Sequence, residues 1–312
     1  MSEPTSRPSR LPDRGPRVLA ARPAAPSPFL LLTALLAFVF AALVAVQAFA
    51  ESDSDDRVLS IGGSVTEIVY ALGQEDRLVA RDTTSVWPVE ANDLPDVGYM
   101  RALSPEGVLS VSPDLIIAEA GSGPPETISV LEEAQIEFVT IPDGYDREAV
   151  VAKILAVGEA LGVADAAQAL AEEVDADLVA AEEAAAREDK KRVLFVLSTR
   201  GGRIMASGTN TGANGIITLA GAENAIQEFE GYKPLTDEAI IAAAPDVILM
   251  MDRGGNHSTA DDELFAMPAI ASTPAAADRN LVRVNGLLML GFGPRTPEAV
   301  TTLSEALYGA DG

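Results

Sequence analysis

Cysteine is absent from this 312-residue sequence. Its absence excludes disulfides, thiolate catalysis, cysteine-built zinc sites and a lipid-modified N-terminal cysteine. Histidine is almost absent as well, with His257 the only one. A multi-histidine metal site or a Ser-His-Asp triad therefore lacks its parts. Aromatic residues amount to 5%, so aliphatic side chains and alanine must fill any core. Positive charge is scarce: 22 Lys and Arg stand against 47 Asp and Glu, a net charge of -25. So acidic a surface repels phosphate backbones and anionic headgroups, which argues against a nucleic-acid partner. What the chain does have is apolar content, 48%, at a length that suits two modest domains with cores of their own.

The first fifty residues stand apart. Met1 to Pro28 is rich in Pro, Arg and Ser without periodicity, the pattern of a disordered extension. An uncharged run from Phe29 to Val46 follows, and then Ala48-Phe49-Ala50, a small-x-small site that a signal peptidase accepts. Five arginines before the run orient it toward the cytoplasm. The expectation is a cleavable signal peptide over residues 1–50, cut after Ala50, with an acidic leader over 51–56. Because the run nears the length of a membrane span, a retained anchor is the alternative. Cleavage would leave 17 basic and 45 acidic residues, a charge of -28. Export without a lipid-attachment cysteine points to free diffusion in a periplasm.

From Arg57 onward short β-branched runs alternate with amphipathic stretches. Strands are predicted at 57–61, 78–80, 114–118, 137–141, 192–197, 247–251 and 281–284, and helices near 65–72, 104–112, 126–134, 147–161, 212–220, 236–243 and 296–308. Alternation of this kind predicts an α/β fold with mainly parallel, helix-covered sheets. The halves also resemble each other. LSPEGVLSVSPDLII (103–117) aligns without gaps on LTDEAIIAAAPDVIL (235–249): an N-cap hydroxyl, an acidic first turn, an apolar helix, then Pro-Asp entering a strand. Two related lobes follow, 57–164 and 190–312. Between them, residues 165–189 are dominated by alanine and glutamate with no Gly or Pro, which predicts one long helix linking the lobes, with Leu170, Val174 and Leu178 as its apolar stripe.

Four stretches carry a family resemblance: 82–117, containing GYMRALSPEGVLS; 193–226, containing STRGGRIMASGTNTG; 232–249, YKPLTDEAIIAAAPDVIL; and 287–300, LLMLGFGPRTPEAV. Together they resemble the solute-binding proteins of ABC importers that carry haem, ferric siderophores or vitamin B12, and most closely the haem-binding branch. The resemblance implies two lobes joined by one long helix (the class III type), with the ligand in the cleft between them. It further implies a binding function without catalysis, delivery of haem to an ABC import permease, and an outer-membrane haem receptor upstream. A ferric siderophore or a corrinoid is the alternative cargo. A two-domain α/β enzyme and a membrane-anchored sensor are the readings from other classes.

Within that frame Tyr99 becomes the candidate iron ligand. A tyrosine beside a glycine in a loop is ordinarily a packing residue, but a phenolate is a hard anionic donor suited to Fe(III). A free phenol has a pKa near 10, so the anion needs the metal and a nearby cation, and Arg101 stands two residues on. Arg101, Arg253, Lys233 and Arg200 are candidate partners for the haem carboxylates, arginine being suited to planar bidentate recognition. Some haem-binding relatives place a histidine where Arg200 stands, so a second axial ligand from that loop and stacked double-haem binding are both in question. His257, the single imidazole, is the alternative iron ligand; in Gly254-Gly255-Asn256-His257 it otherwise reads as a loop residue. Glu106 and Glu238 occupy matching positions of the repeat. As first-turn acids they suit the helix dipole, and the resemblance implies that one such glutamate per lobe docks onto permease arginines. The Gly62-Gly63 turn and the turns at Gly208 and Gly212 do not fit G-x-G-x-x-G, so no nucleotide site is expected.

Overall fold

A computed structural model describes residues 56–252 and 260–309. The leader up to residue 55, the apolar run and the cleavage point after Ala50 lie outside the described residues, as do Arg253 and His257. Among the described residues no helix is long and apolar enough to cross a membrane.

The first sheet is built from β1 (Val58–Ile61), β2 (Leu78–Arg81), β3 (Leu115–Glu119) and β4 (Glu137–Ile141), in the order β2-β1-β3-β4 with every pair parallel. Its crossovers are α1 (Gly63–Ala71), α2 (Pro105–Leu109) and α3 (Pro125–Glu133); α4 (Arg147–Leu161) follows β4. Strand β1 is buried along its whole length, which is why it does not alternate apolar with exposed polar residues; its one polar side chain, Ser60, is buried against Thr66 Oγ1. Helix α4 matches its predicted bounds because both ends are marked. Asp146 accepts the Ala149 N–H at one end, and Gly162 takes a left-handed conformation at the other.

After the linking helix α5 (Ala164–Ala185) comes the second lobe. It contains β5 (Arg192–Ser198), β6 (Met205–Ser207), α6 (Gly212–Leu219), β7 (Glu223–Asn224), β8 (Tyr232–Pro234), α7 (Asp237–Ala243) and β9 (Val247–Asp252). Three short helices follow, α8 (Asp261–Phe265), α9 (Pro268–Ala271) and α10 (Pro274–Ala277), then β10 (Leu281–Asn285), α11 (Gly286–Leu290) and α12 (Thr296–Tyr308). Its sheet runs β10-β9-β5-β6-β8, with β7 beside β5. The first three strands are parallel, whereas β6 and β8 are antiparallel additions. The sequence reading missed both additions because three-residue strands are too short to show a period.

The internal repeat is structural. Ser104 Oγ accepts the Gly107 N–H at 3.0 Å, and its counterpart Thr236 Oγ1 accepts the Ala239 N–H at 3.3 Å. Helix α2 ends sooner than the predicted 104–112, since only Val108 is buried along it. Ser112 (φ 47°) and Ala244 (φ 43°) take left-handed conformations at equivalent positions and turn each chain into its strand. Asp114 Oδ2 then accepts the Arg57 N–H at 3.0 Å, as Asp246 Oδ2 accepts the Arg192 N–H at 2.8 Å. Each aspartate thereby ties its own strand to the first strand of its lobe.

Helix α5 is about 33 Å long and packs on α4 of the first lobe and α12 of the second. Its buried face is Ala167, Ala171, Val174, Leu178, Ala181 and Ala185, an alanine seam in which Leu170 is only peripheral. Small residues bring the backbones close: a Cβ on Gly158 would lie 2.0 Å from that of Ala167, and one on Gly221 would lie 1.8 Å from the Ala185 carbonyl oxygen. The largest apolar cluster runs through this seam without interruption, from Val58, Ile117 and Ile154 to Val193, Phe195 and Val300. One apolar cluster spans both lobes, and each lobe adds a smaller one of its own.

Candidate functional site

Parallel strands send their carboxyl ends to one edge, the usual place for ligands in open α/β sheets. In the first lobe, the segments leaving that edge carry Gly62, residues 82–104, 120–124 and 142–146. In the second, residues 199–203 follow β5, and Gly286 follows β10. These edges face each other. The Tyr145 ring meets Phe292 edge-on with centroids 5.5 Å apart, and a Cβ on Gly215 would lie 2.3 Å from the Tyr145 carbonyl oxygen.

Tyr99 sits on a turn pinned at both sides. The Gly98 carbonyl accepts the Thr83 N–H at 3.0 Å, and the Met100 carbonyl accepts the Gly123 N–H at 2.8 Å. Gly98 has φ 104°, a conformation that favours glycine. The backbone is held while the side chain is 47% exposed, and its hydroxyl has no hydrogen-bond partner among the described residues. Arg101, exposed and without an ion pair among the described residues, acts on Tyr232 of the opposite lobe in the direction that favours phenolate.

Two further tyrosines face this space, and the sequence reading singled out neither. Tyr232 lies on the unpredicted strand β8, paired with Ser207. Burial of its hydroxyl end pushes its pKa up, while hydrogen bonds from the Ala213 backbone and Thr211, with Arg101, pull the other way. Tyr145 donates to Asp143 Oδ2 at 2.8 Å, and burial together with that carboxylate pushes its pKa up, so it remains a neutral phenol. Of the three, Tyr99 alone offers a free oxygen.

The cationic candidates group on loops at the carboxyl edge and on β8. Arg200 lies in the turn after β5, with Gly201 and Gly202 at positive φ. Lys233, beside Tyr232, rests its ammonium 5.0 Å from the Phe229 ring centroid. Both are exposed and without ion pairs among the described residues. Arg253 and His257, which follow β9 in the sequence, lie outside the described residues. Glu106 and Glu238 are exposed in the first turns of α2 and α7. Hydrogen bonds from its own N–H and from Thr236 hold the Glu238 carboxyl below its ordinary pKa.

Beneath the cleft floor lies a charged cluster. Lys153, fully buried, donates to Glu119 Oε1 at 2.7 Å, Ser64 Oγ at 3.2 Å and the Gly291 carbonyl of the second lobe at 3.2 Å. Among the described residues no group of three or more His, Asp or Glu could hold a bare metal ion.

The model of the periplasmic binding protein family matches residues 58–286, which take in the first lobe, the linking helix and the second lobe as far as β10. The chain belongs to that family. This periplasmic binding protein is 30% identical to the uncharacterized ABC transporter substrate-binding lipoprotein YvrC of Bacillus subtilis, covering 81% of the chain and 80% of the relative. It is 26% identical to a vitamin B12-binding protein of Vibrio campbellii, over 80% of the chain and 88% of the relative. Among solved structures, the periplasmic heme-binding protein BhuT in complex with two hemes is 44% identical, with a TM-score of 0.77, covering 81% of this chain and 97% of that one. The two-lobed α/β architecture expected from the sequence is the architecture of this family.

Proposed function

We propose that this protein captures haem in the cleft between its lobes and hands it to an ABC import permease. The observation that carries this reading is Tyr99: an unpartnered phenol on a pinned turn, two residues from Arg101, whose charge reaches a second tyrosine, Tyr232. A phenolate is the hard donor that ferric iron takes up in a site poor in histidine. Tyr145 and Tyr232 supply apolar surface for a macrocycle, and Arg101, Arg200 and Lys233 supply cations for its two carboxylates. The 44% identity with BhuT supports haem over a corrinoid. Arg253 joins the carboxylate partners in this proposal, and His257 remains the alternative iron ligand.

Titrating the purified protein with hemin should produce a saturable visible absorption change that excess cobalamin does not compete away. Competition by cobalamin with no hemin spectrum would make the cargo a corrinoid. A ferric siderophore arrives with its iron already saturated, and its carrier would leave Tyr99 off the metal.

Delivery falls to Glu106 and Glu238 in this reading, since they stand exposed at matching rims of the two lobes. Replacing both with arginine should abolish importer-dependent haem uptake, because like charges would then face a basic docking surface. Hemin affinity should stay within about two-fold, an effect well under 1 kcal/mol. Normal uptake by the double variant would reduce both glutamates to helix-terminus charges.

The mature chain is proposed to begin at Glu51 and to diffuse in the periplasm, receiving haem from an outer-membrane receptor system. Intact-mass measurement of periplasmic extract should show loss of the first fifty residues. A full-length mass recovered from membranes would establish the anchored form instead.

A further inference from the structure

The lobes are joined a second time, away from the linking helix. Its polar ties run through one segment of the second lobe, Leu287–Arg295. Arg295 reaches across to α1, where its Nε donates to Glu67 Oε2 at 3.1 Å and its Nη2 donates to Glu67 Oε1. The same guanidinium lies over the Trp87 ring, 4.5 Å from the centroid. A planar fork of five N–H donors suits a carboxylate on its edge and an aromatic ring on its face together, which an ammonium cannot do. Glu67 is only 7% exposed, so its charge depends on this partner. The segment also presents the Gly291 carbonyl to buried Lys153.

Packing around these polar ties leaves no slack. A Cβ on Gly63 would fall 2.4 Å from a Leu287 methyl carbon, and one on Gly293 would fall 3.3 Å from Ser64 Cβ. Sliding this segment over α1 would therefore open a gap under Lys153 and expose two charges that are now paired.

We propose that Arg295, Glu67, Trp87 and Lys153 form a clasp that sets the angle between the lobes before any ligand arrives. Helix α5 by itself is one attachment, and long helices bend. Apolar contacts such as Tyr145 against Phe292 and Gly215 can slide, whereas the clasp adds directional polar ties that fix the cleft. Tyr99 and Arg101 on one lobe then stand opposite Tyr232 and Arg200 on the other in the ligand-free protein. Arg295 is thus a positioning residue that touches no ligand.

The cysteine-free chain permits a direct test. Glu133→Cys and Ala277→Cys place one spin label on an exposed helix end of each lobe, and pulsed electron resonance reads the distance between them. The parent should show one narrow distance, the same with and without hemin. Arg295→Lys keeps the charge but loses fork and stacking, and Glu67→Gln keeps the shape but loses the charge. Each should broaden the ligand-free distribution and speed hemin dissociation about ten-fold. Trp87→Ala, a change at a half-exposed ring with little effect on folding, should broaden it in the same sense.

A broad distance in the parent, or variants as narrow as the parent while circular dichroism shows all of them folded, would overturn the clasp. Because the distances are first read without ligand, failure of hemin to bind would count against the proposed cargo and leave this result standing.

Discussion

Tyr99→Phe is expected to abolish the phenolate-to-iron charge-transfer absorption of the hemin complex and to weaken hemin binding by at least about 100-fold. Loss of a group that merely supports a metal ligand costs about 10–100-fold, so loss of the ligand oxygen should cost no less. The fold should survive, because the side chain is half exposed, its hydroxyl bonds to nothing in the described protein, and the turn is held by backbone hydrogen bonds that phenylalanine leaves intact. Arg101→Ala should act more mildly, by about 10-fold, since it removes a cation beside the phenolate and leaves the donor in place. Absorption spectra and hemin titrations of the two variants check both effects. If Tyr99→Phe keeps the parent spectrum and affinity while His257→Ala loses both, the tyrosinate assignment is wrong and His257 takes the role.

Lys153→Met should produce the largest loss of stability of any single change beneath the cleft. The ammonium is fully buried, with three hydrogen-bond partners and Asp143 Oδ1 at 3.9 Å. Methionine fills nearly the same volume but leaves the Glu119 carboxylate, 16% exposed, without its cation, and the Gly291 carbonyl without a donor. Breaking a buried pair from one side typically costs about 3–5 kcal/mol. The partial exposure of Glu119 argues for the lower end, a fall in Tm of roughly 6–12 °C for a chain of this size. Adding Glu119→Gln should recover part of the loss, because no unpaired charge then remains. A double variant less stable than Lys153→Met alone would mean that Glu119 contributes through contacts other than the ion pair.

Much of the architecture was legible from local pattern. Strand β4 and helices α4 and α12 fall within their predicted bounds, because apolar period and end signals such as Asp146 and Gly162 act over a few residues. The fifteen-residue repeat also held up, down to the paired roles of Asp114 and Asp246. Where the signal was shorter than a period it failed: β6 and β8 went unseen, and with β8 the placement of Tyr232. The linking helix was anticipated, and Val174 and Leu178 of its expected stripe are buried, but Leu170 is peripheral and alanine fills the rest of the face. Leucine draws attention in a stripe, whereas close backbone approach at Gly158 and Gly221 selects alanine.

Lys153 was passed over because a lysine in an amphipathic helix ordinarily faces solvent, and nothing within α4 announces Glu119 or Gly291 as its partners. Arg295 and Glu67 are 228 residues apart. By itself the sequence determined the order of elements, the doubling of the lobe, the absence of thiol chemistry and of any multi-histidine site, and Tyr99 with Arg101 as the pair to test. Only the tertiary structure decided which phenol keeps a free oxygen, which cations escape ion pairing, and which charges are buried between the lobes. Local preference is written in neighbouring residues, but burial and charge pairing depend on what the rest of the chain brings alongside, and in a solvent-excluded space that decides the energy of a charge.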